Sequence, residues 1–376
     1  MRLSRRSITT IIFAVTSIIL LSACTALAEQ PLGGNESKMG AETAKEIEKT
    51  IRLIDDETIL NRVRTIGEKI SSVANKTEIA STYGASTITP FDYTFKVVDD
   101  DKINAFSIPG GYIYINKGLI SFCESDDEIA AVLAHEIAHA AHHHTTFLLR
   151  EQSRVDGQLA LIALISLIGR TKAEDMSNIL TGAQCYRISA TSTFTDKAER
   201  DADMTALYYL IKAGYNPIGE LTFLERLSEK PEVVEWGIFE DHPKAAERAR
   251  LIKTKLIELG IPIKRSAVST SCAAIVRKEQ PQGITEVLFG GKILCKVASE
   301  QKAKDFAESI NNIMDEKISL HRIKLCDSTI ELSDAPILQF TKEDEDALGK
   351  PRCELAAETF EILRRAIYTQ MIRELW

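Results

Sequence analysis

Beyond its first few residues the chain has no cluster of lysine and arginine, and 46 basic residues face 54 acidic ones, a formal net charge of −8. Phosphate binding wants a basic surface, so a nucleic-acid partner is set aside. No two of the seven cysteines stand in Cys-x-x-Cys spacing, which removes the usual thiolate metal site. After residue 23 no apolar run reaches the roughly 20 residues of a membrane-spanning helix. The longest, LALIALISLI at residues 159–168, is read as a buried helix. What remains is 376 residues, 44% hydrophobic and 27% charged, enough for two domains with a real core.

The start reads as a bacterial export signal, with Arg2, Arg5 and Arg6 ahead of an apolar stretch at 8–23. Leu21-Ser22-Ala23-Cys24 matches the lipobox of bacterial lipoproteins, in which cleavage leaves an acylated Cys24 holding the protein on a membrane. Ala26-Leu27-Ala28 offers a competing site for ordinary signal peptidase. The expected location is the exported cell envelope, lipid-anchored, and periplasm-facing in a Gram-negative cell. Of the six other cysteines, four lie beyond residue 270, where two disulfides would staple the tail or separate thiols would be buried.

The chain is organised around AVLAHEIAHAAHHH at 131–144. Positions four apart on a helix lie one turn above each other, so His135 and His139 project two imidazoles that one zinc ion can bridge. Glu136 stands beside them as general base for water whose pKa the metal lowers. This is the His-Glu-x-x-His pattern of metallopeptidases. Ser125 followed by Glu128 reads as a capping box, and Ile129, Val132, Leu133 and Ile137 place the motif on a buried or half-buried helix. His142, His143 and His144 are read as solvated or structural, although His142 shares a face with His139.

A catalytic zinc needs a third protein ligand. Thr145 stands where a metzincin has its third histidine, which argues against that class. Glu199 leads, with Asp196 and Asp201 as alternatives, and Asp203, four residues on, can accept a hydrogen bond from a ligand histidine. His242, stiffened by Pro243, and Arg248 are candidate positive donors to the tetrahedral intermediate. His242 is alternatively a plug on the open coordination position.

His135-Glu136-x-x-His139 with Glu199-x-x-Ala202-Asp203, preceded by Asn104-Ala105-Phe106 and Pro109-Gly110-Gly111-Tyr112-Ile113-Tyr114, resembles the HtpX-like and CAAX-prenyl-protease-like family of zinc metalloendopeptidases. The similarity is to its exported bacterial branch, of the BepA and LoiP kind, over about residues 38–259, and takes in Asp241-His242-Pro243 and Arg248. It implies a gluzincin core with one Zn²⁺ per chain and hydrolysis of unfolded or misassembled cell-envelope proteins. Those proteins are the expected substrates. The tail from about Ser266 is unlike the helical-repeat extension of some relatives. A rival reading is an envelope chaperone that binds unfolded chains, but an intact Glu136 has no role in binding alone.

The expected fold class is α+β. A signal peptide (1–24) and linker (25–37) precede a mostly helical zincin-type domain with a small sheet (38–262) and a small C-terminal α/β domain (263–376). In the first domain, residues 38–75 are helical with a turn at 55–57, 81–89 is loop, 93–98 and 112–115 are strands, and 196–213 is a helix. An extended substrate is expected along the 111–115 strand. Residues 170–195 are read as a polar loop over the cleft. In the tail, strands at 273–277, 284–289 and 292–297, a helix at 300–317, strands at 323–325, 330–332 and 337–341, and a helix at 353–375 are expected.

Overall fold

The computed structural model describes residues 36–148, 196–230, 245–279, 283–316 and 320–373. The lipobox, the runs at 159–168 and 170–195, and His242 lie outside the described residues. The described residues fall into two compact units, one comprising those within 36–123 and 129–252, the other 124–128 and those within 253–373.

The first unit is mostly helical. Helices Glu36–Ile47 and Glu57–Ala74 are separated by residues 48–56, a longer connection than the turn at 55–57 read from the sequence, because Leu53 leaves the helical path to bridge Val98. Asp56 caps the second, its carboxylate accepting from Thr58 N and Ile59 N, which satisfies N–H groups that have no partner within the helix. Helix Glu57–Ala74 then packs on a three-stranded sheet and on helix Asp196–Ala213.

In that sheet β1 (Thr94–Val98) runs parallel to β3 (Tyr112–Asn116), while β2 (Ala105–Ile108) is antiparallel to β3 on its other side. Strand β2 is absent from the sequence reading, which took 104–111 as a connection. The strand is only four residues long, too short for alternation to show. Its presence corrects one expectation. The 112–116 strand is central, with both edges already paired, so it cannot receive a substrate strand; among the described residues the outer edge of β2 is unpaired, while that of β1 is met by an isolated bridge from Leu53 to Val98.

Helix Asp126–Ala141 runs through the interior, with Ile129, Ala130, Leu133, Ala134, Ile137 and Ala138 fully buried. Apolar and small residues surround the two histidines on nearly every side, so the helix is a core element. Helix Asp196–Ala213 is built alike, with Ala198, Ala202 and Ala206 fully buried, and Glu199 and Asp203 within its buried surface. Helices Ile218–Ser228 and Ala245–Glu258 follow.

The second unit holds two antiparallel sheets, one of β4 (Ala274–Lys278), β5 (Thr285–Phe289) and β6 (Lys292–Val297), the other of β7 (Ile323–Cys326), β8 (Thr329–Leu332) and β9 (Ala335–Gln339), and helices Glu300–Asp315, Lys342–Leu348 and Arg352–Arg373. One core of Phe306, Ile310, Val287, Ile330, Phe340 and Leu363 joins sheets and helices. Helix Lys342–Leu348 was not anticipated, although Thr341 and Asp344 form a reciprocal capping box that the sequence carries in plain view. Cys295, Cys326 and Cys353 are free thiols, so two disulfides do not staple this region; burial pushes the Cys295 thiol well above the usual range.

Close packing sets the entry to β3. A Cβ built on Gly40 would stand 1.9 Å from the Pro109 carbonyl oxygen, a backbone atom that cannot swing aside. Gly40→Ala should therefore lower stability by about 1 to 3 kcal/mol, despite the gain in helix propensity. Chemical denaturation of the variant beside the wild type measures it.

Candidate metal centre

His135 and His139 face each other one turn apart, their Nε2 atoms 3.0 Å apart. Glu199 closes the triangle, with Oε2 3.4 Å from His135 Nε2 and Oε1 3.4 Å from His139 Nε2. Donors held about 2.0–2.2 Å from a tetrahedral ion lie roughly 3.3 Å from one another, so two imidazoles and a carboxylate at these separations fit zinc. All three are buried. Glu136 opens onto a cleft that His135 also lines.

Each ligand histidine has its far nitrogen occupied. Asp203 Oδ1 lies 2.9 Å from His135 Nδ1 and 2.6 Å from Arg248 Nη2, and Asp203 Oδ2 accepts from Arg248 Nε at 2.8 Å. Because the carboxylate can only accept, His135 carries its proton on Nδ1 and turns the Nε2 lone pair inward. Arg248 Nη1 reaches Glu199 Oε2 at 3.1 Å, so one guanidinium bridges Glu199 and Asp203. Burial works to raise the Asp203 pKa, but Arg248 and His135 outweigh it and the carboxylate is held below its ordinary range. Burial and Arg248 press His135 down, yet its bonds to Asp203 and Glu199 raise it to about 10. A cation entering here therefore displaces a proton.

His139 is served differently. Its Nδ1 lies 2.9 Å from His144 Nδ1, and His144 Nε2 lies 2.8 Å from the Tyr83 carbonyl oxygen and 3.2 Å from Asp201 Oδ2. Burial lowers both imidazoles, keeping them neutral. The Tyr83 carbonyl and Asp201 are acceptors, so His144 is protonated on Nε2 and its Nδ1 is an acceptor. His139 must then donate from Nδ1, which leaves its Nε2 free for metal. His142, His144 and Asp201 also stand close enough to hold an ion. A metal on His144 Nε2 would have to expel the proton that the Tyr83 carbonyl needs, and hydrogen bonding accounts for this trio.

The triple histidine is thus buried and structural. His142 bonds to Asp201, and His143 bonds to Glu36 Oε2 at 2.6 Å and Thr89 Oγ1 at 3.0 Å. His143 takes φ 58°, the left-handed conformation that ends a helix and here returns His144 toward His139. The segment read as loop presses on this bend. Thr82 N and Tyr83 N donate to Asp201 Oδ1, and Ala85 N donates to the His142 carbonyl at 3.0 Å. Gly84, at φ 97°, leaves 2.2 Å between its would-be Cβ and that carbonyl oxygen, so no other residue fits. Of the alternatives for the third ligand, Asp201 is committed to His142 and His144, and Asp196 is exposed. Sequence reasoning did not find Tyr83 or His144 as supports of the site; a backbone carbonyl leaves no trace in a sequence.

A buried His-His-Glu triangle with a glutamate beside it on the helix defines a metallopeptidase centre. The model of Peptidase family M48 matches residues 64–256, just over half the chain, and the chain belongs to that family of zinc-dependent metalloproteases. A beta-barrel assembly-enhancing protease of Yersinia pestis is 29% identical over 204 residues, 53% of this chain and 39% of that protein. The metalloprotease LoiP of Escherichia coli K12 is 28% identical over 201 residues, 52% of this chain and 76% of its own length. A mitochondrial metalloendopeptidase OMA1 of Schizosaccharomyces pombe is 26% identical over 175 residues, 46% and 49% of the two chains. The chain thus spans about two fifths of the length of the beta-barrel assembly-enhancing proteases that it matches.

The hydrogen-bond accounting at His139 generates a pair of expectations. His144→Leu removes its acceptor and should weaken zinc binding by about 10 to 100-fold. His144→Gln, whose amide can both accept from His139 and donate to Tyr83, should retain most of the affinity. Competition with a chromogenic chelator reads both.

Proposed function

We propose that this chain is a zinc-dependent metalloendopeptidase that hydrolyses peptide bonds of unfolded or misassembled cell-envelope proteins. The convergence of His135 Nε2, His139 Nε2 and Glu199 at donor separations of 3.0–3.4 Å carries this reading. The envelope substrates rest on the name of the bacterial relatives, beta-barrel assembly-enhancing protease, and on the export signal at residues 1–24.

His135, His139 and Glu199 would hold the ion. When bound, Zn²⁺ supplies a Lewis acid that polarises the scissile carbonyl and lowers the pKa of water. The Glu136 carboxylate takes a proton from the attacking water and hands it to the leaving amine. Asp203 and His144 fix the two imidazoles. Arg248, whose Nε, Nη1 and Nη2 face Asp203 and Glu199, lends positive charge to the cleft it lines. His242, outside the described residues, is assigned on its sequence context alone, as a donor toward the developing oxyanion or as a plug on the open coordination position. An extended substrate is accommodated along the outer edge of β2, whose first residue, Ala105, lines the same cleft. Main-chain pairing there favours broad specificity.

Among the described residues no helix is long and apolar enough to cross a membrane. Attachment through an acylated Cys24 is part of the reading, on the strength of Leu21-Ser22-Ala23-Cys24. Cys24→Ser should move the protein from the membrane to the soluble fraction or leave it unprocessed, which fractionation and mass spectrometry of the mature N-terminus report.

Purified chain should degrade an unfolded model protein and stop on chelation. Glu136→Gln should keep one zinc per chain and lose at least about 10²-fold in turnover, within the range for a positioned acid–base group. His135→Ala, His139→Ala and Glu199→Ala should each lose the metal. Full zinc occupancy in Glu199→Ala, or undiminished proteolysis in Glu136→Gln, overturns the assignment.

A further inference from the structure

The cleft beside the metal centre contains a carboxyl that the proposed chemistry does not use. Glu220, on helix Ile218–Ser228, is 4% exposed, and neither of its oxygens has a hydrogen-bond partner among the described residues. It lines the cleft together with Phe223 and Leu224, three and four residues further along the helix, and with His135 and Glu136. Val132, one turn before Glu136, adds to the apolar wall.

Such a group is expensive to keep. A buried polar atom left unpaired costs about 1 to 3 kcal/mol, and leucine or methionine would fill the same wall without that penalty. The nearest cation in the cleft is already engaged, since Arg248 contacts both Asp203 and Glu199. Glu220 therefore has a hydrogen-bonding capacity that none of the described residues satisfies.

We propose that Glu220 is the recognition group of a side-chain subsite for lysine or arginine at a substrate position flanking the scissile bond. This deepens the metallopeptidase reading and rests on it. A lysine or arginine stem is apolar and its tip charged, matching walls of Val132, Phe223 and Leu224 that end at a carboxyl. The tip supplies the donors that Glu220 lacks and pairs with its carboxylate in a site removed from water, where charge-assisted hydrogen bonds are strongest. An acidic side chain would meet Glu220 and Glu136 with like charge. Main-chain pairing along β2 would tolerate any sequence, whereas this pocket would choose where in it the cut falls.

The test uses the full, zinc-loaded chain and fluorogenic peptides that differ only in the residues flanking the bond: Lys, Arg, Gln, Leu or Glu. Lys and Arg peptides should exceed the Leu peptide in kcat/KM by about 10 to 100-fold, the usual worth of a hydrogen bond to a charged group, with Glu poorest. Glu220→Gln should remove most of that margin, and Glu220→Leu should reverse it in favour of Leu. Calorimetric binding of the same peptides to zinc-loaded Glu136→Gln should give the same order without turnover. Zinc content and thermal melting of the Glu220 variants check the fold; Glu220→Leu should melt no lower than wild type, because it removes an unpaired buried carboxyl. Cleavage with no preference for basic residues, or a preference that survives in zinc-loaded Glu220→Leu, overturns the subsite and leaves the metallopeptidase reading standing. No cleavage and no binding of any peptide overturns that reading, and the subsite with it.

Discussion

Buried negative charge is the constraint on which this site depends. Glu199 and Asp203 stand one helical turn apart and essentially out of water, beside two imidazoles whose Nε2 atoms must be unprotonated when a cation binds. Two carboxylates in that position would repel each other and resist burial. A single guanidinium, Arg248, bridges them, and its placement explains why a helix beginning more than a hundred residues after the histidines reaches into their surroundings. Truncating any member of such a group strands the others, so losses here exceed the worth of any one contact.

The two ligand histidines are oriented by unlike means. His135 leans on a carboxylate, which raises the basicity of its ring, whereas His139 leans on a neutral imidazole that is itself fixed by a backbone carbonyl. The second arrangement adds no charge next to Glu199. It depends on a tight bend, with His143 in a left-handed conformation and Gly84 packed against the carbonyl of His142. The three consecutive histidines therefore have three destinations: Asp201, Glu36 and His139.

Much of this was legible in the sequence because helical spacing is a geometric statement. Four residues separate His135 from His139 and Glu199 from Asp203, and a turn of helix converts that spacing into a shared face. The cap at Ser125 and, apart from helix Lys342–Leu348, the order of helices and strands beyond residue 270 were legible for the same reason: local chemistry decides them. What escaped was tertiary. Strand β2 exists because β3 offers it a partner, and the loop around Tyr83 is ordered by Asp201, 118 residues away. Glu220 escaped because its meaning lies in the lack of a hydrogen-bond partner among the described residues, and no residue pattern encodes that.

The reach of Arg248 has a consequence in time. Chains are made from the N-terminus and local contacts form before distant ones, since closing a long loop must precede its reward. His135 and Glu136 exist as a helix well before residue 248 has been added, but Glu199 and Asp203 cannot settle side by side without that guanidinium. A nascent or half-folded copy thus carries the motif without a tenable cation cage. Competence to hold the cation thus arrives only once helix Ala245–Glu258 has docked, so a finished copy and an incomplete one differ in the site itself.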